Sequence, residues 1–160
     1  MAEEHALTWE EADELPAAVI SALLRPVGEV VAIVATVDAD GSPRTAAFGS
    51  VRPIPPHQLR FGCKRTHGTF ANVVRDGRVM VALFASPDIA IGIRGRARVL
   101  KEELDCWPGD AAIAIDVSKV KNDALQMAPV ASGITYSVSP DVGVRIQQYF
   151  DELEAIPSVN

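Results

Sequence analysis

Cysteine is scarce in this chain. Cys63 and Cys106 are the only two in 160 residues, too few for a disulfide scaffold and in keeping with a reducing compartment. Aromatic residues make up 6%, little for a surface that must stack bases. No apolar run approaches the roughly 20 residues that span a bilayer. The opening Met1-Ala2-Glu3-Glu4-His5 is acidic where a secretory or mitochondrial leader is basic. There is no Gly-rich Walker loop and no dinucleotide fingerprint. What remains is a chain that is 48% hydrophobic and 22% charged, suited to a packed core. Its length fits one domain and is short for two. The expectation is a cytoplasmic protein of one domain, 1–160, that binds no membrane.

The formal net charge of -6 hides an asymmetry. From Arg44 to Lys101 eleven basic residues face two acids, Asp76 and Asp88, and the rest of the chain is strongly acidic. A cationic middle points to a local anion site, since clustered positive charge concentrates a negative ligand. The blander alternative is that these side chains sit in water on scattered outer faces, as Lys and Arg usually do. Proteins that bind nucleic acid are usually basic overall, so a small anion is expected and nucleic acid is not.

Thr8-Trp9-Glu10-Glu11 has capping-box spacing and predicts a short helix from Thr8. Pro16 can open a second over Ala17–Leu24. Val30–Val37 is an almost unbroken β-branched run and reads as a strand buried on both faces. Asp38-Ala39-Asp40-Gly41-Ser42 supplies turn chemistry, and Arg44–Val51 returns as the second strand of a hairpin. Ile54-Pro55-Pro56-His57 reads as an extended connection to a third strand, Gln58–Cys63. A basic loop, Lys64–Gly68, leads into a helix from Thr69 to about Arg75. Strands are expected at Val79–Phe84, at Ala90–Leu100 with Arg94, Arg96 and Arg98 on one face, at Ala111–Val120, and at Ile134–Val138. Lys121–Gly133 has no legible pattern. Ser139-Pro140-Asp141 starts a helix whose apolar stripe is Val142, Ile146, Tyr149, Phe150 and Leu153. Six or seven strands joined by tight turns, with helices at the ends, favour an antiparallel barrel. The expected divisions are an N-terminal helical segment 1–28, a barrel 29–139 and a C-terminal helix 140–156.

The segment Phe61-Gly62-Cys63-Lys64-Arg65-Thr66-His67-Gly68-Thr69-Phe70-Ala71-Asn72 carries the most chemistry. A strand runs into a loop of donors and a helix then begins. Phosphate suits such a place, because free N–H groups at a helix start point at it while cations neutralise it. An ordinary capped helix would use Thr69 or Thr66 on its own backbone instead. Cys63 and His67 are four apart, which by itself makes neither a metal site nor a nucleophile pair. Cys63 reads as a small residue at a strand end.

Val30 to Leu100 resembles the flavin-binding split-barrel family that includes the pyridoxamine 5'-phosphate oxidase-like proteins. The resemblance lies in the apolar strand, Asp40-Gly41-Ser42-Pro43-Arg44, a second strand, Leu59-Arg60-Phe61, the loop ending in Thr69 to Asn72, and Arg75-Asp76-Gly77-Arg78-Val79-Met80-Val81, and continues loosely through Gly95-Arg96-Ala97. It implies a mainly β fold, a six-stranded antiparallel split barrel with flanking helices, and a homodimer with FMN at the subunit interface. It places Arg44 and its neighbours in contact with the flavin, and Gly62 and Cys63 beside it. The family's phosphate-binding Ser-Arg-Lys triplet falls on His67, Gly68 and Thr69, so two cations are replaced. Lys64, Arg65 and His67 are the residues that can restore the charge. Otherwise a deazaflavin coenzyme or haem would occupy the groove.

In such a protein the flavin ring carries the chemistry, while the chain supplies position, dryness and electrostatics. No catalytic residue is therefore named. Ser50 and Lys64 are candidates for a donor at the ring's pyrimidine edge, with a solvated strand hydroxyl the favoured reading of Ser50. The expected function is an FMN-dependent oxidoreductase passing hydride or electrons between a nicotinamide or small organic substrate and the flavin. The alternative is a non-catalytic carrier or sensor using the same groove. Trp9 and Trp107 are expected to pack rather than to stack on a cofactor.

Overall fold

The computed structural model describes residues 9–158. In chain order the elements are β1 (Glu11–Ala12), α1 (Ala17–Leu23), β2 (Ala32–Val37), β3 (Pro43–Phe48), β4 (Arg52–Ile54), β5 (Gln58–Lys64), α2 (Gly68–Arg75), β6 (Arg78–Ala85), β7 (Ile89–Lys101), β8 (Asp110–Asn122) and α3 (Pro140–Ala155). All strand pairings are antiparallel, in the order β3-β2-β6-β7-β8-β5-β4, with β1 added on β8. β3 and β5 lie far apart in that order, yet the rings of Phe48 and Phe61 meet with centroids 4.7 Å apart. The sheet therefore curls until its two flanks touch, as a split barrel does.

The local chemistry explains most of these elements. Gly41 takes φ +88° in the β2–β3 turn, a region that only glycine enters at no steric cost. The turn closes through bonds between Asp38 and both Gly41 and Ser42. Between Arg94 and Gly95 the β7–β8 register shifts by one, with Ser118 the extra residue on β8. A Cβ on Gly95 would come within 2.5 Å of the Ile115 side chain and 2.7 Å of the Asp116 carbonyl, so close strand approach there requires glycine. The core inside the barrel gathers Val34, Leu59, Phe61, Leu83, Ile93 and Ile113, all buried.

Several expectations need correction. The helix foreseen from Thr8 is absent among the described residues. Thr8 itself lies outside them, and Glu11–Ala12 pairs with Lys121 and Val120 instead. β2 is not buried on both faces, because Ile33, Ala35 and Val37 are only partly covered. The strand covered on both sides is β8, whose Ala111–Ile115 run is wholly buried: Ile113 and Ile115 pack in the barrel, and Ala112 packs against Tyr149 and Leu153 of α3. The proline segment after Val51 forms a hairpin, with Arg52 opposite Arg60 and Ile54 opposite Gln58. Pro53 is tolerated because β4 is a sheet edge, where a missing N–H costs no ladder bond. Ile134–Val138 is not a strand. Its sequence has strand propensity but meets no free sheet edge, and Tyr136 N–H donates to the Gly28 carbonyl at 2.8 Å.

Two buried arginines dock α3. Arg60 Nη1 donates to the carbonyls of Leu153 (2.8 Å) and Ile156 (2.6 Å), where the helix ends with unpaired acceptors. Arg52 donates from Nε to Glu154 (2.7 Å) and from Nη1 to the Leu23 carbonyl (2.7 Å), with its guanidinium 4.5 Å from the Phe150 ring centroid. Much of the cationic window thus serves structure. Arg78 pairs with Asp76, Arg98 with Asp116, and Lys101 with Glu152. Arg94, Arg96 and Arg98 share an exposed face, as their alternation implied. No described helix is long and apolar enough to cross a membrane.

Candidate functional site

The start of α2 and the first residues of β3 come together. Arg44 Nε donates to Asp38 Oδ1 at 2.7 Å, and Asn72 Nδ2 donates to the same oxygen at 2.8 Å and to Thr36 Oγ1 at 2.9 Å. The bonds from Arg44 and Asn72 hold the Asp38 carboxyl below the ordinary carboxylate value. Asp38 leaves part of the Arg44 guanidinium to lie over Gly68, where a Cβ would sit 3.0 Å from Cζ. Arg44 therefore fills the space that a side chain at position 68 would take. These residues border a shallow depression of about 390 Å³.

His67 caps α2, its Nδ1 accepting from the Thr69 N–H at 3.2 Å. That nitrogen of His67 is thus turned to the start of its own helix. Thr69 is fully buried, and its Oγ1 has no hydrogen-bond partner among the described residues. An orphaned buried hydroxyl is costly and marks a place where a ligand oxygen would be welcome. Lys64, Arg65 and Thr66 are exposed in the loop. The Arg65 side chain approaches Glu103 at 3.5 Å, and its N–H donates to the Gly109 carbonyl at 3.0 Å.

Ser50, Gly62 and Cys63 lie farther along. Ser50 Oγ accepts from the Gly62 N–H at 3.1 Å, which leaves its own hydrogen uncommitted. Cys63 is buried, and burial, aided by the nearby Asp110 carboxylate, pushes its thiol up to about 11. It is protonated at neutral pH and is not a nucleophile. Gly62 is pressed under Tyr149: a Cβ would fall 1.6 Å from the phenol oxygen.

Above this point opens a cavity of about 520 Å³. Its floor is the end of β3, from Ala47 to Ser50. Tyr149, Ile146 and Phe150 of α3 form one wall, Trp107 and Asp110 a second, and Ile134 and Tyr136 a third. Tyr149 donates its hydroxyl to Asp110 Oδ2 at 2.8 Å and meets Trp107 edge to face, 5.8 Å between centroids. Phe48 links the two regions. It lines the cavity, touches Phe61, and lies 6.0 Å from the His67 ring. β3 thus carries residues of both regions, Arg44 bordering the depression beside Gly68 and Ala47 and Phe48 lining the aromatic hollow.

The sequence singles out the loop and the start of β3 but not Phe48, Asp110, Tyr136 or Tyr149, which line the cavity. Trp107 packs as expected and also faces the cavity. One signal was available: Tyr149 places a hydroxyl on a buried helix stripe, and such a hydroxyl normally finds a partner.

No family profile and no curated protein sequence matches this chain. Solved structures do. A pyridoxamine 5'-phosphate oxidase-like protein from Lactobacillus delbrueckii superposes with TM-score 0.58 at 19% identity, covering 70% of this chain and 98% of that one. An FMN-binding protein from Syntrophomonas wolfei gives 0.55 at 12% identity, covering 66% and 84%. An F420 reductase gives 0.54 at 18% identity, covering 67% and 98%. At such identities the likeness concerns architecture, and it agrees with the strand order and barrel closure described above: this chain has the antiparallel split-barrel fold of the pyridoxamine 5'-phosphate oxidase-like proteins.

Proposed function

We propose that the chain binds FMN and works as a flavin-dependent oxidoreductase. The observation that carries this reading is the placement of two regions on one strand: at one end of β3 the Arg44 guanidinium lies over Gly68, next in sequence to the buried, unpartnered Thr69 hydroxyl, and at the other Ala47 and Phe48 line the aromatic cavity. The donor set fits a phosphate monoester. Arg44 offers a planar fork, Thr69 a buried hydroxyl, and Lys64 and Arg65 add exposed positive charge. Arg44 compensates from across the β3–α2 junction for the side chain that position 68 lacks. At the other end Ser50 offers an O–H, next to Gly62 and Cys63. FMN supplies the hydride and electron chemistry when bound. The chain holds the phosphate and seats the ring against the Ala47–Ser50 floor.

A homodimer completes the reading. Ile33 and Ala35 of β2 share an outer sheet face with Met80 and Phe84 of β6, which are 43% and 47% exposed. This apolar face is suited to burial against a second copy. Both cysteines are free, in keeping with a cytoplasmic protein.

The test is the visible spectrum of the purified protein, followed by titration with FMN and anaerobic addition of NADH or NADPH. Flavin absorption that bleaches with reductant supports the oxidoreductase. Bound flavin that no reductant or organic substrate affects identifies a carrier. Arg44→Met should weaken FMN binding at least about tenfold, the loss of one charge-assisted contact. A colourless protein that takes up no FMN refutes the reading.

A further inference from the structure

The walls of the 520 Å³ cavity also select what can share it with a cofactor. Among the described residues the lining carries no charged side chain apart from Asp110, which already accepts the Tyr149 hydroxyl at 2.8 Å. The nearest cation on α3, Arg145, is engaged with the Trp107 ring, 4.5 Å from its centroid. An anion would leave water for a wall that offers one carboxylate and no cation. A cation would exchange its hydration for mostly carbon. An uncharged, flat apolar ring loses little and gains contact with Trp107, Tyr136 and Tyr149.

One polar group in the lining is placed with particular care. Two glycines make room for Tyr136. At Gly28, with φ +93°, a Cβ would lie 2.5 Å from the Tyr136 carbonyl, and at Gly49 it would lie 2.8 Å from the Tyr136 ring. The Gly28 carbonyl also accepts the Tyr136 N–H. Yet the phenol hydroxyl so positioned has no partner among the described residues, and Tyr136 lines the cavity. A seated donor with nothing to donate to is a recognition group for an acceptor oxygen.

We propose that this cavity holds an uncharged, ring-bearing carbonyl compound, with the Tyr136 hydroxyl donating to its oxygen. As the class of substrate, this rests on the flavin reading above. As a binding site, it stands alone.

The full-length protein is titrated with three fluorescent probes of similar size: neutral 6-propionyl-2-dimethylaminonaphthalene, anionic 1-anilinonaphthalene-8-sulfonate and cationic thioflavin T. The neutral ketone should bind at least about tenfold more tightly than either ion, reflecting their desolvation. Tyr136→Phe should weaken the ketone about three- to tenfold, the worth of one hydrogen bond. It should also move the ketone's bound emission to the blue, while binding of naphthalene, which has no acceptor, is unchanged. Gly49→Ala, which displaces the ring without removing the hydroxyl, should shift the emission the same way. Equal or tighter binding of either ion overturns the proposal, as does a Tyr136→Phe protein whose ketone affinity and emission are those of the parent. Adding FMN separates the two readings. If FMN binds but the ketone does not, this inference fails alone. If the ketone binds but FMN does not, the flavin reading fails alone. If FMN expels the ketone, the cavity is the flavin's own seat and the substrate assignment falls.

Discussion

Replacing Gly62 by alanine tests the link between barrel, helix and cavity. The added Cβ would lie 1.6 Å from the Tyr149 hydroxyl oxygen and 2.1 Å from Cζ, so the ring must move. Gly62 sits in the middle of the β5–β8 pairing, opposite Ala112, and cannot retreat. Overpacking of this kind costs about 1–3 kcal/mol. Losing the Tyr149–Asp110 bond adds about 1.5–3 kcal/mol, because the acceptor is charged. Alanine's better strand propensity returns about 0.5–1 kcal/mol, which leaves a net loss of about 3 kcal/mol. For a chain of this size that lowers Tm by about 6–12 °C. Thermal and urea unfolding measure it, and a cycle with Tyr149→Ala isolates the cause. In that background the Cβ has room, so Gly62→Ala should become nearly neutral, with a coupling of about 3 kcal/mol. An equal cost in both backgrounds, or a Tm change under about 1 °C, would refute the contact.

Arg60→Met should loosen the end of α3 by about 3 kcal/mol through the lost bonds to Leu153 and Ile156; hydrogen exchange of the α3 amides should quicken, and unchanged protection counts against the clamp. The Glu152 carboxyl is held at about 2: burial alone would raise it, but bonds from Cys106 and Asp105 and the Lys101 ammonium outweigh that. Its folded value lies below the ordinary 4.5, so its stabilisation is complete above that pH and is lost as pH falls toward 2. Urea midpoints followed by Trp107 fluorescence should drop across that window, and Glu152→Gln should flatten the drop. At the alkaline end both thiols are raised to about 11, Cys63 by burial and Asp110, Cys106 by burial and its bond to Glu152. The unfolded thiols ionise near the ordinary 9.0, so stability should decline between pH 9 and about 11. At pH 8 a thiol reagent should label Cys106 before Cys63, and both far more slowly than in urea; rapid labelling of Cys63 would contradict its burial.

Features that depend on a few neighbouring residues could be read directly from the sequence. The Asp38–Ser42 hairpin, the opening of α1 behind Pro16, the α2 helix ended by Gly77, and α3 behind Ser139-Pro140 all follow from turn, cap and periodicity rules that act over a handful of positions. The donor-rich loop was recognisable for the same reason, whereas Arg44 was singled out by the family resemblance. Tertiary structure decided the rest. Val30–Val37 and Ala111–Val120 are both apolar runs, and only their places in the sheet determine that β8, covered by α3, is buried on both faces while β2 is not. Ile134–Val138 has strand chemistry but no neighbouring edge. The orphaned Thr69 hydroxyl, the Arg44 guanidinium over Gly68, and the Tyr149–Asp110 and Tyr136–Gly49 contacts join residues from 24 to 87 positions apart. No local pattern encodes such meetings, because they exist only once the sheet has curled and the C-terminal segment has closed over its open end.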